Sequence, residues 1–90
     1  MKIADSNGDR AEALALSALG WALSDGQRAE RLLALTGLTP HNLRSRLDDR
    51  AVLAAILAFL EAHEPDLIAC AEALDAKPSE LVEARWKLEQ

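Results

Sequence analysis

Aromatic residues are nearly missing from this chain: two tryptophans, one phenylalanine and no tyrosine among ninety residues. Its apolar half is therefore mostly alanine and leucine, the strongest helix formers. The β-branched residues Ile3, Thr36, Thr39, Val52, Ile56, Ile68 and Val82 are few, and no polar–apolar alternation reads as a strand. The class is all-α. A single cysteine, Cys70, excludes an intrachain disulfide and fits a reducing compartment. The longest unbroken apolar run, Ala51 to Leu60, is too short to cross a bilayer. Asp5, Asp9 and Glu12 interrupt the place where a signal peptide carries its apolar core, so a cytoplasmic location is expected.

Chemistry is scarce as well. The four glycines are scattered, so no phosphate-binding loop is built from them. His41 and His63 belong to no H-x-x-x-H, E-x-x-H or Cys/His cluster, and no metal site is expected. No serine has a base and an orienting group nearby in sequence. Glu61, Glu64 and Asp66 form an acidic cluster, which most simply is a solvated corner. Cys70 lies on an apolar stripe and reads as a small buried hydrophobe. We expect no enzyme, no catalytic residue and no cofactor.

What the chain does have is an uneven charge. Its formal net charge is −5. Residues 1–45 balance five Lys/Arg against five Asp/Glu, while residues 46–90 set five against ten. The acidic second half suits a basic partner surface, and it disfavours phosphate backbones. One stretch runs against that trend. Residues 28–50 hold five arginines against three acids, and His41, Asn42, Arg44, Ser45 and Arg46 cluster on one short segment. Side chains of this kind on the second helix of a tight turn are the alternative, nucleic-acid-binding reading.

That turn organises the chain. In Leu32–Arg46 a helix runs into Thr36 and Gly37; glycine enters the left-handed region without a Cβ penalty and commonly follows a helix end. Leu38 is the apolar partner of such a cap. Thr39 is a good N-cap, and Pro40 falls at the first helical position, where its missing N–H costs nothing. Leu43 and Leu47 share one face of the new helix. The turn matches a DNA-binding helix–turn–helix in Gly37, Leu38 and Leu43. It departs at Leu33, where a small residue is usual, and at Arg46, where an apolar one is usual.

Taken in order, residues 1–8 lack periodicity and read as a disordered tail before a single domain over 9–90. Asp9 and Glu12 make a capping-box-like start for a helix over 10–24, apolar nearly all round and hence largely buried. Within it, Ala13, Ser17, Gly20 and Ser24 form a small-residue stripe that a neighbouring helix would approach closely, with Trp21 as a core anchor. Further helices are expected over 27–36, 40–47 and 50–63, the last being central, with His63 in its final turn. Pro65 opens a helix to about Leu74 with the stripe Leu67, Cys70, Ala71 and Leu74, and Pro78 opens one whose face holds Leu81, Val82, Arg85, Trp86 and Leu88. Leu16, Leu23 and Trp86 are candidates for uncovered faces, which would leave a monomer or a weak homodimer.

A shift of 38 residues places Pro40 on Pro78, Leu43 on Leu81, Leu19 on Leu57 and Trp21 on Phe59. Two duplicated three-helix units would explain it, and so would chance alignment of Ala/Leu-rich helices. Either way the elements close into a compact orthogonal-type bundle of five or six short helices.

The segments AEALALSALGWALSD, RLLALTGLTPHNLRSRLDD and LAAILAFLEAHEPDLIACAEALDAKPSELVEAR resemble a family of short helical alphaproteobacterial proteins, number thirty-five seventy-two among the domains of unknown function. The most specific part is L-A-L-T-G-L-x-P-x-x-L-R, Leu33 to Arg44. The resemblance implies a small cytoplasmic all-helical protein and carries over no activity, cofactor or catalytic residue. The leading functional expectation is a small non-enzymatic protein-interaction module.

Overall fold

A computed structural model describes residues 6–90. These form six helices: α1 Ser6–Leu23, α2 Gly26–Thr36, α3 Pro40–Ser45, α4 Arg50–Glu61, α5 Glu64–Ala73 and α6 Pro78–Leu88. No strand occurs among the described residues. The radius of gyration, 12.4 Å, is close to the roughly 12 Å expected of a compact chain of this length.

Local chemistry sets most boundaries. Asp25 caps α2 by accepting the Arg28 N–H at 2.9 Å. Gly37 ends α2 at φ +76°, and its N–H donates to the Leu33 carbonyl at 2.9 Å. Thr39 then accepts the Asn42 N–H through its hydroxyl at 3.0 Å, with Pro40 opening α3. Asp49 caps α4, accepting the Ala51 N–H at 2.9 Å. Pro65 has no N–H to give the Glu61 carbonyl, so α4 cannot continue and ends at Glu61. His63 consequently stands in the N-cap position of α5, in extended conformation. The expected place in the last turn of α4 is corrected.

The second turn closes differently. Asp75 takes φ +56°. The Ala76 N–H donates to the Ala71 carbonyl at 2.8 Å and the Asp75 N–H to the Glu72 carbonyl at 3.1 Å, the paired bonds of a Schellman motif. The Lys77 N–H then donates to the Glu80 carboxylate at 2.7 Å, with Pro78 at the start of α6. That bond, ahead of the guanidinium of Arg10, holds the Glu80 carboxyl below its ordinary pKa.

α4 is the core helix, with Val52, Leu53, Ala54, Ile56, Leu57, Phe59 and Leu60 all buried. α1 and α6 make the largest contacts with it and with each other. α1 meets the core through Ala11, Ala15, Ala18, Leu19 and Ala22, and α6 through Leu81, Ala84 and Leu88. An alanine-lined face lets helix axes come close, and burying it costs little side-chain entropy.

Several expected faces are corrected. α1 begins at Ser6, ahead of the expected start at Asp9. Of the predicted tail, residues 1–5 lie outside the described residues and 6–8 belong to α1. The stripe Ala13, Ser17, Gly20 and Ser24 faces solvent, and a Cβ at Gly20 would meet nothing within 4 Å. The buried small stripe is the parallel one through Ala11, Ala15, Ala18 and Ala22. α3 stops at Ser45, two residues short of Leu47, which is exposed together with Leu35. On α6, Val82 and Trp86 point outward, and Ala84 takes the buried place.

The 38-residue register is visible in the folded chain. It places the end of α1 on the end of α4, the starts of α2 and α3 on those of α5 and α6, and Gly37 on Asp75. Buried positions obey it too: Ala15 and Leu53, Ala18 and Ile56, Leu19 and Leu57, Ala22 and Leu60, Leu32 and Cys70, Leu43 and Leu81.

Candidate interaction surfaces

The α3 surface is built as its turn predicts, and its positive charge is largely spent inside the molecule. His41 and Arg44 are exposed. Asn42 is half-buried, and its carbonyl accepts the Ser45 hydroxyl at 3.2 Å. Arg46 lies past the helix and pairs with Asp49 at 2.9 Å. That guanidinium, with the Ala51 N–H, holds the Asp49 carboxyl below its ordinary pKa. Arg50 reaches Glu12 at 3.6 Å and the Lys87 carbonyl at 2.8 Å, and Arg31 pairs with Asp66. Arg28 donates to the Trp21 carbonyl at 2.7 Å and lies 3.6 Å above the Trp21 ring. Of the five arginines over 28–50, only Arg44 has neither a carboxylate nor a carbonyl partner among the described residues. With six residues, α3 is about 9 Å long.

The acidic corner is divided in a similar way. Glu61 takes the fork of Arg85 through both oxygens, and Asp66 pairs with Arg31 and with His63 Nδ1 at 3.2 Å. Glu64 is exposed with no ion pair among the described residues. Two of these three carboxylates are thus engaged separately, Glu61 by a guanidinium from α6 and Asp66 by one from α2. Cys70 is buried on α5, and burial pushes its thiol up to about 11. It stays protonated and unreactive at neutral pH. Among the described residues no three His, Cys, Asp or Glu side chains come together as metal ligands. No helix of the described chain is long and apolar enough to cross a membrane.

The surface with the clearest character lies on α6. Trp86 is 60% exposed and Val82, four residues earlier, 37%. At i and i+4 they share one face, and with Ser79, Glu83 and Arg85 they line a shallow open hollow. Arg85, beside it, is held by Glu61 on one side and by Glu89 at 2.9 Å on the other. These two carboxylates, Glu61 foremost, raise the Arg85 pKa above its ordinary value. Glu83 forms no ion pair among the described residues. Two carboxylates therefore hold one guanidinium beside an exposed indole, and a third, Glu83, lines the same hollow. Residue identity pointed to this surface only through the size of Trp86; it faces outward because α6 buries Leu81, Ala84 and Leu88 instead. Leu16 and Leu23 on α1 are exposed as expected, at 41% and 43%.

Comparison with curated proteins finds no match, and comparison with solved structures finds none. A family model does match, over residues 8–90, under the description Protein of unknown function (DUF3572). With nearly the whole folded domain inside that match, the chain belongs to the DUF3572 family.

Proposed function

We propose that this chain is a small non-enzymatic protein-interaction module whose partner presents a basic surface. The observation that supports it is the α6 face, where exposed Trp86 and Val82 share a hollow with Glu83 and with Arg85, itself held by Glu61 and Glu89, in the acidic half of the chain. Apolar anchors ringed by charge are the composition of recognition surfaces, and tryptophan is prominent among residues that dominate binding. The chain acts as a monomer or weak homodimer, which light scattering during gel filtration measures. The test of the module is pull-down with the immobilised protein at low and high salt. Protein retained at low salt and released at high salt is the expected result. Retention no greater than on bare beads at both salts ends the proposal.

The alternative is a nucleic-acid-binding helix–turn–helix using His41, Asn42, Arg44, Ser45 and Arg46. The exposed Arg44 favours it, and the pairing of Arg46 with Asp49 weighs against it. Fluorescence anisotropy with duplex at about 50 mM salt tests it, since phosphate contacts are strongest at low salt. Binding lost in Arg44→Ala would favour this reading over the first.

A further inference from the structure

We propose that Trp86 is an acceptor for an arginine side chain of the partner, stacked on the indole between Glu83 and Glu89. This rests on the interaction reading above and names its contact. The molecule contains three aromatic rings. Trp21 carries the Arg28 guanidinium 3.6 Å from its ring centre, and Phe59 has Arg31 at 5.6 Å. Trp86 has no cation over it among the described residues, and it is the most exposed of the three. The neighbouring Arg85 cannot take the place, because its guanidinium is committed to Glu61 and Glu89.

Around this part of α6 the carboxylates Glu61, Glu83 and Glu89 outnumber the cations Arg85 and Lys87, which leaves a net negative charge. Glu83 stands three residues before Trp86 and Glu89 three after, so both flank it on the helix surface. Trp86 is also in the last turn of α6, where the helix dipole presents its negative end. Lys87, four residues beyond Glu83, forms no ion pair with it among the described residues. Of the possible cations, arginine fits better than lysine. Its planar guanidinium stacks on an aromatic face and still presents N–H groups at its edge to carboxylates on either side. Val82, one turn back, offers an apolar contact to a residue one turn from that arginine in a helical partner. The charge of the site and the shape of its central ring thus specify a basic protein segment with arginine at its centre.

The experiment titrates the full chain with a capped helical peptide bearing one arginine and a leucine four residues away, and with the same peptide carrying citrulline, the uncharged isostere. Binding is followed by NMR at the backbone amides of α6, present in wild type and variants alike, and in the wild type also at the indole N–H of Trp86. The arginine peptide binds roughly tenfold more tightly than the citrulline peptide, a difference in the range of a partly desolvated cation–π contact. Trp86→Ala abolishes that preference, and Glu83→Gln reduces it about threefold. Because Trp86 is exposed, its removal leaves the fold intact, and circular dichroism of the variant verifies this. Equal binding of the two peptides overturns the inference, as does a preference that survives Trp86→Ala. If wild type and Trp86→Ala retain the same proteins in the salt-dependent pull-down while the peptides bind equally, this contact fails and the interaction module stands. If the beads retain nothing while the arginine peptide docks at Trp86, the contact stands and the module fails.

Discussion

Residues 6–45 and 50–88 fold in one register, and each half turns at a residue in the left-handed region, Gly37 in the first and Asp75 in the second. Beyond those turns the halves diverge. α3 stops after six residues, whereas α6 runs for eleven and packs on both α1 and α4. Both helices start just before a proline, α3 with the Thr39 hydroxyl accepting the Asn42 N–H and α6 with the Glu80 carboxylate accepting the Lys77 N–H. The residues beyond the proline decide their length. α3 offers Leu43 to the core and then Arg44, Ser45 and Arg46. α6 offers Leu81, Ala84 and Leu88 on one face. A helix of this size persists where it has a face to bury, because its backbone bonds alone barely offset the cost of ordering.

Removing the matched leucines puts this contrast between the halves to its strongest test. Leu81 is fully buried at the packed helix, and Leu81→Ala should destabilise by about 4 kcal/mol. Leu43 occupies the same register in a helix with few neighbours, and Leu43→Ala should cost about 2 kcal/mol, the low end for such a change. Urea unfolding of both variants measures the pair. Equal losses would mean that α3 contributes as much to closure as α6 does.

The turns give a smaller effect of opposite signs. Gly37→Ala forces a Cβ into the left-handed region and should cost about 1 kcal/mol, with no steric clash to add, since nothing lies within 4 Å. Asp75→Gly relieves the matching strain and should gain roughly 0.5 kcal/mol. Thermal unfolding of the two would show whether the Schellman bonds at Ala76 already compensate the second turn.

α1 and α4 invite a similar contrast. Gly20 sits mid-helix on the solvent side of α1, at the register of Ala58 in α4. Gly20→Ala should stabilise by up to about 1 kcal/mol through helix propensity alone. A loss of stability would show that this face is covered in solution, by a second copy or a partner.

The smallest effect concerns acid. The Glu80 carboxyl is held below its ordinary pKa by the Lys77 N–H and then Arg10. A depressed folded-state pKa contributes stability above the ordinary carboxylate value, near pH 4, and that contribution is lost as pH falls through the folded value. Glu80→Gln should therefore lower the melting temperature slightly at pH 7 and flatten its decline in the acid range. The first half has no such carboxylate at its second turn, where Asn42 stands in the same register.

Helix ends and turns were legible from neighbours a few residues apart. Asp25, Thr39 and Asp49 cap, Gly37 turns, Pro40, Pro65 and Pro78 set where helices begin, and Leu67, Cys70, Ala71 and Leu74 make a periodic stripe, because each depends on hydrogen bonds and sterics within one turn. Which apolar faces became core depended on how the helices packed. In a chain rich in alanine and leucine several helix faces are apolar, so the Ala11–Ala22 stripe and the Ala13–Ser24 stripe of α1 look equally suitable until α4 and α6 arrive. The same holds for Trp86 and for the arginines: whether an indole is core or surface, and whether a guanidinium is free or already paired, is fixed by residues distant in sequence that packing brings within a few ångströms.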